Sequence, residues 1–295
     1  MEESGQQLRI YRILIVLLII TVIIQSAAIA YIFLSSQEIS PPPIPQRPRI
    51  AVVYIQGTLT TGVAEGYASS DVIVRQLEEL RDDGRVKAVI LRINSPGGSP
   101  AAAQEIVEAV KKLREMKPVI ASLGDIATSG AYYIAAPCNL IVASPDTMTG
   151  SIGAIWVFED RSKYYEDEGI EFTVIKSGEM KDMGADWRAL TEEEKNYAQR
   201  IVDEVFKRFL STVSTFRNVS EENLMEISDG RVITGEMAKE LGLVDDFGNL
   251  ESCIELASEM LGLENPEIIY YNEPKMERNE ALSYWEGSPY GIILV

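Results

Sequence analysis

Apolar residues fall in short continuous runs separated by amphipathic stretches along most of the chain, and one run is far longer than the rest. Ile13 to Leu34 carries no charged residue and is interrupted only by Thr21, Gln25, Ser26 and Tyr31. At about 1.5 Å of rise per residue this run covers the roughly 30 Å of a bilayer's hydrocarbon core, so the pattern predicts a transmembrane helix over 13–34. Arg9 and Arg12 precede it with the terminal amine, which favours a cytoplasmic N-terminus and an extracytoplasmic remainder, while Arg47 and Arg49 on the far side pull the other way. Ala28-Ile29-Ala30 has the small-residue form of a leader cleavage site. The apolar stretch continues past it and exceeds the h-region of about 7–15 residues in a cleaved leader, so a retained anchor is expected.

Ser40 to Pro48 is too rich in proline for a helix interior or a central strand and reads as an extended spacer. Beyond it, Ile50–Ile55, Val86–Ile93, Val119–Leu123 and Leu140–Ala143 are apolar, partly β-branched runs of strand length. Asp71–Asp82, Ala101–Met116 and Ser129–Ala136 between them read as helices. Continuous apolar strands alternating with helices predict an α/β domain whose parallel or mixed sheet is covered on both faces. Phe172–Ile175 reads as a further strand. Thr191-Glu192-Glu193-Glu194 supplies an N-cap and an acidic first turn for a long helix to about Phe216, and Gly235–Leu241 is again helical.

Composition narrows the function classes. With 46% hydrophobic and 24% charged residues in 295, the chain can bury a full core. Its net charge of −18, carried beyond residue 34, argues against nucleic acid as a partner and against adsorption to anionic lipid. Cys138 and Cys253 are too few and too far apart for a disulfide framework or a zinc site and are expected in the core. No metal or cofactor is implied.

The chain has no histidine, which constrains any hydrolytic chemistry. A serine hydroxyl needs a neighbouring base to act as a nucleophile, and without imidazole the available base is a lysine amine. Three segments could carry such chemistry. Asn94-Ser95-Pro96-Gly97-Gly98 follows a predicted strand, where two glycines allow a sharp turn and offer unhindered N–H groups to an oxyanion; an ordinary strand-to-helix turn would look the same. Thr128-Ser129-Gly130-Ala131-Tyr132-Tyr133 places Ser129 at a helix start, with the Gly130 N–H beside it, although serine there commonly serves as a simple N-cap. Lys176-Ser177-Gly178-Glu179-Met180-Lys181-Asp182-Met183-Gly184 offers Lys176 and Lys181, and local composition does not choose between them. A lysine base must be desolvated. Met180 and Met183 fit burial of Lys181, whereas Glu179 and Asp182 would have to face away from it. Thr149-Gly150-Ser151-Ile152-Gly153 could place a hydroxyl to orient the amine.

In this order, and with Asp229-Gly230-Arg231-Val232 further on, these segments resemble the signal peptide peptidase A family over about Ile50 to Leu261. Those enzymes are membrane-anchored Ser-Lys proteases with a fold of repeated β-β-α units related to Clp protease and crotonase. The resemblance implies Ser129 as nucleophile, Lys181 rather than Lys176 as general base, Ser151 as the orienting hydroxyl, and Gly130 with Gly97 or Gly98 as oxyanion hole. It further implies cleaved signal peptides and other short or unfolded peptides as substrates, and a homo-oligomeric ring whose sites a neighbouring subunit can complete. Ala131 departs from the family's frequent glycine at that position. The expected organisation is a cytoplasmic segment 1–12, the anchor 13–34, a linker 35–48, a protease domain 49–262 and a tail 263–295, the last with an apolar end, Tyr290–Val295, suited to a self-bound peptide. Three other readings use the same fold: a Ser-Lys membrane protease acting on a stomatin-like partner, a crotonase-like enzyme of acyl thioesters, and a non-catalytic membrane scaffold.

Overall fold

The computed structural model describes residues 2–35, 47–217 and 219–274 and divides into two units, Met1–Gln46 and Arg47–Val295. The first unit is helix α1 (Glu2–Ser35), which extends the predicted span backwards through the polar residues before Ile13. Within it Leu8–Leu34 has a mean hydropathy of 2.9, long and apolar enough to cross a membrane. The proline-rich spacer as far as Gln46, and the tail from residue 275, lie outside the described residues.

The second unit opens with β1 (Arg49–Gln56), β2 (Thr58–Thr60), β3 (Tyr67–Ser69), α2 (Ser70–Asp82), β4 (Val86–Ser95), α3 (Pro100–Arg114), β5 (Val119–Thr128), α4 (Gly130–Ala135), β6 (Leu140–Ala143) and β7 (Met148–Gly150). An irregular stretch carrying α5 (Ser162–Asp167) and a 3-10 turn (Glu179–Asp182) follows. Then come α6 (Glu192–Phe216), α7 (Glu221–Ile227), β8 (Val232–Thr234), α8 (Gly235–Glu240), β9 (Asp246–Phe247), α9 (Leu250–Leu261) and β10 (Glu267–Tyr271). The main sheet runs β10-β1-β4-β5-β6-β9, all parallel. β7 pairs in parallel with the far half of β5 and antiparallel with β8. This is a mixed α/β fold of repeated strand–helix units.

The alternation within each strand explains the continuous apolar runs. Ala51, Val53 and Ile55 of β1 and Val89, Leu91 and Ile93 of β4 face one core with α2, α3, α4 and α6. Ile50 and Val52 of β1 and Ala88 and Ile90 of β4 face a second core, closed by Cys253 and Ala257 of α9. With both faces buried, neither set of positions can be polar. Cys138 and Cys253 are free thiols buried in these separate cores, and burial pushes the Cys138 thiol up to about 12.

Strand β5 runs past its predicted end at Leu123, and this extension delivers the candidate site. The β4–β5 register shifts after Ile93, and the Asn94 side chain fills the irregularity, its Oδ1 accepting from the Ile126 N–H at 3.2 Å. A Cβ on Gly124 would come within 2.9 Å of that oxygen, so a residue that reads as a strand breaker is the one that admits Asn94. The predicted strand Phe172–Ile175 does not form: the segment joins no sheet, and Ile175 is 96% exposed. A β-branched run makes a strand only where another strand pairs with it, and no described strand lies beside it.

Candidate active site

Two backbone turns meet at the ends of β4 and β5. Ser129 follows β5 with φ 54° and ψ −126°, a conformation that disfavours every residue but glycine. Its N–H donates to the Gly150 carbonyl at 2.9 Å, and its carbonyl accepts from the Tyr133 N–H at 2.9 Å, starting α4. The hydroxyl makes no cap hydrogen bond. Ser129 is therefore no ordinary N-cap: the turn fixes its backbone, the residue is half-buried, and among the described residues its Oγ has no hydrogen-bond partner.

The Gly97-Gly98 turn lies directly against it. A Cβ on Gly97 would fall 2.8 Å from the Gly130 nitrogen and 2.9 Å from the Ser129 Cβ. Gly98 has φ +148°, and a Cβ there would come 2.5 Å from the Leu59 carbonyl oxygen. Both positions thus require glycine. Strand β2 holds the turn in a short parallel bridge, with the Leu59 N–H donating to Gly97 O at 2.8 Å and the Ser99 N–H to Leu59 O at 3.0 Å. That pairing aims the Gly98 N–H away from Leu59. The Gly97 N–H already donates to Ser95 Oγ at 3.1 Å, and Thr128 Oγ1 ties back to Pro96 O at 3.1 Å. Gly98 and Gly130, by contrast, have no acceptor for their N–H groups among the described residues. Asn94 and Ser95, which shape this turn, stand out in a linear reading only as part of the segment with the two glycines, and Leu59, on β2 far earlier in the chain, carries no signal at all.

Ser151 joins the same cluster. Gly150 pairs with Thr128 across β7 and β5, so the next residues, Ser151 and Ser129, leave the sheet side by side. Ser151 also has positive φ, at 50°, and its N–H donates to Arg231 O at 2.8 Å. The structure therefore gathers Ser129, Gly130, Gly97, Gly98 and Ser151 at one sheet end.

No contact joins Lys181 to this cluster among the described residues. Lys181 lies on the 3-10 turn in an exposed arm, residues 154–190, and its side chain is exposed. Burial of Lys181 between Met180 and Met183 is not realised in the single chain: Lys181 is exposed and Met180 is 37% exposed. The two lysines are nonetheless distinct. Lys176 Nζ donates to Asp182 Oδ1 at 2.9 Å and to Glu179 O at 2.8 Å, and the hydrogen bond to Asp182 holds it above the usual lysine range. Asp182 turns to Lys176 and to Arg188, whose guanidinium, followed by Lys176, holds its carboxyl well below the usual carboxylate range.

Comparison with known proteins places the chain. Residues 111–264 match the model of peptidase family S49. A protein of Methanocaldococcus jannaschii named as a candidate protease is 32% identical over 295 residues, 96% of this chain and 92% of the relative. Protease 4 of Salmonella typhi is 34% identical over 241 residues, 81% of this chain but 39% of that protein. The chloroplastic serine protease SPPA of Arabidopsis thaliana is 34% identical over 191 residues, covering 64% and 28%. Among solved structures, a serine-to-alanine mutant of the 1510-N membrane-bound stomatin-specific protease superposes with a TM-score of 0.51 at 18% identity, over 78% of this chain and all of that one. That likeness shares the fold. The chain is a serine protease of mixed α/β architecture. Within that class it belongs to peptidase family S49.

Proposed function

We propose that this chain is a Ser-Lys endopeptidase, anchored in the cell membrane as a single-pass protein by α1 with its protease domain extracytoplasmic, that degrades cleaved signal peptides and other short or unfolded peptides. The observation that carries the reading is the Ser129 turn: a strained serine with an uncommitted hydroxyl beside two unclaimed N–H groups, in a chain without histidine. Ser129 Oγ attacks the peptide carbonyl while neutral Lys181 takes its proton, with Ser151 orienting the amine. The Gly130 and Gly98 N–H groups receive the oxyanion; Gly97 is set aside because its N–H is held by Ser95. Lysine then protonates the leaving amine, and water resolves the acyl-enzyme. No metal or cofactor enters these steps.

Homo-oligomeric assembly would account for a base that is exposed in the single chain. The arm that carries Lys181 exposes Ile155 (89%), Val157 (77%) and Ile175 (96%), an apolar surface of the kind that subunit interfaces cover. A neighbouring copy that covers the arm would desolvate Lys181 and seat it beside a Ser129.

The test is cleavage by the full chain in detergent or vesicles. An apolar signal-peptide remnant, a peptide from a stomatin-like protein, a folded protein and an acyl thioester would be offered in turn. The remnant cut in preference, with loss of cleavage on Ser129→Ala, is expected. Preference for the stomatin-like peptide, or thioester turnover that survives Ser129→Ala, contradicts the substrate assignment.

A further inference from the structure

No residue of the 3-10 turn that carries Lys181 is fully buried, and charged groups tie the turn down. Within the 3-10 turn, the Lys181 N–H donates to Gly178 O and the Met183 N–H to Met180 O, each at 3.1 Å. The next fixed point is Asp182, whose side chain is 11% exposed. Arg188 grips it with two contacts, Nη2 to Oδ1 at 2.7 Å and Nε to Oδ2 at 3.2 Å. The same guanidinium reaches Glu194 twice, at 2.8 and 2.6 Å. Glu194 is 2% exposed, and its carboxylate also accepts from the Thr191 N–H at 2.8 Å in the capping box that begins α6. Helix α6 in turn sets Phe209 and Val213 into the main core. One planar guanidinium thus connects the residue beside Lys181 to a helix seated in the core, a geometry that a lysine's single ammonium cannot reproduce.

We propose that Arg188 is the positioning residue for Lys181, fixing its turn to α6 through Asp182 and Glu194 and keeping the Asp182 carboxylate occupied and away from the lysine amine. The proposal rests on the assignment of Lys181 as general base. The charged groups that surround Asp182 are Lys176 and Glu179 on the same segment, Arg188, and Glu194 from α6. Asp186 is engaged instead by the Tyr165 hydroxyl of α5, at 2.9 Å, with Arg161 4.0 Å away. With Arg188 gone, Asp182 retains only Lys176, and its freed charge sits one residue from the amine that must be neutral to act. A carboxylate near an amine favours the protonated form.

The experiment measures the rate of fluorophosphonate labelling of Ser129 against pH in the full chain, for wild type, Lys181→Ala, Arg188→Gln, Arg188→Lys, and Arg188→Gln with Asp182→Asn. Arg188→Gln is expected to label about tenfold more slowly near pH 8 and to shift the rising limb upward by about one unit. Removing Asp182's charge in the same chain should return the limb toward its wild-type position. Arg188→Lys, which keeps the charge and loses the fork, should fall between, and it carries the test if Arg188→Gln does not fold. A wild-type limb in Arg188→Gln or Arg188→Lys, or an upward shift that persists in the double variant, overturns the proposal. Labelling that needs Lys181 but ignores Arg188 overturns this proposal alone. Wild-type labelling that survives Lys181→Ala overturns the base assignment and this proposal with it.

Discussion

At the scale of the residue, reactivity is set by backbone positions at which chemistry outweighs local comfort. Ser129 holds φ 54° and ψ −126° because its N–H is pinned to Gly150 O and its carbonyl begins α4. A non-glycine residue held there costs about 1–2 kcal/mol. Ser129→Gly should therefore be more stable than Ser129→Ala by about 1 kcal/mol, read as a higher thermal midpoint, with both variants inactive. Gly98 is the converse case, since any side chain would strike the Leu59 backbone. Gly98→Ala should lower kcat/KM by about a hundredfold through displacement of one oxyanion donor, measured on a peptide substrate alongside an unfolding curve. The candidate residues are visible in the linear chain as paired glycines after a strand and a serine-glycine at a helix start, but each has a plain structural use, and it is their order along the chain, through the family resemblance, that singles them out. The rejection of Gly97 in favour of Gly98 is not legible, since it turns on which N–H the Ser95 hydroxyl already holds.

At the scale of the element, a pattern is readable where an element's partners lie close in sequence or its burial is two-sided. Strands β1 and β4 and helix α6 are written in their own residues, the last by the Thr191–Glu194 capping box. Strands β7 and β8 are three residues each and exist only by pairing with one another and with β5, so no periodicity marks them. The arm is the extreme case: Phe172–Ile175 has strand composition without a described strand to pair with. Its order depends on charge. Glu194 is lowered to about 2, by Arg188 first and then by the Thr191 N–H, and Asp182 is lowered in the same sense. Carboxyls with depressed folded values stabilise the arm above the ordinary carboxylate range of about 4, and that contribution is lost as the pH falls through the folded values. Trp187, stacked on Phe172 at 5.1 Å, should report this. With Trp156 and Trp285 replaced by Phe, its fluorescence should hold steady from neutral pH down to about 4 and change toward about 2. A change complete by pH 5 would contradict the network.

At the scale of the whole molecule, one chain gathers the proposed nucleophile and oxyanion donors at one sheet end and carries an arm that exposes both apolar side chains and the proposed base. Ile155→Asp with Ile175→Asp should leave the core intact, because neither side chain is buried, yet reduce the assembly to monomers by light scattering and abolish peptide cleavage. Activity in a stable monomer would show that the arm folds back on its own Ser129. A helix long and apolar enough to cross a membrane belongs to the same scale and is legible at once, because it is written in one long uncharged run; the proposed cover of the arm is not, because no residue near the arm in sequence encodes it. The most direct measurement is fluorophosphonate labelling of the assembled protein across pH, with the adduct located by mass spectrometry. A single adduct on Ser129, growing as the pH rises and lost in Lys181→Ala, is the result predicted here. An adduct elsewhere, or labelling of Ser129 that is indifferent to both pH and Lys181, would contradict it.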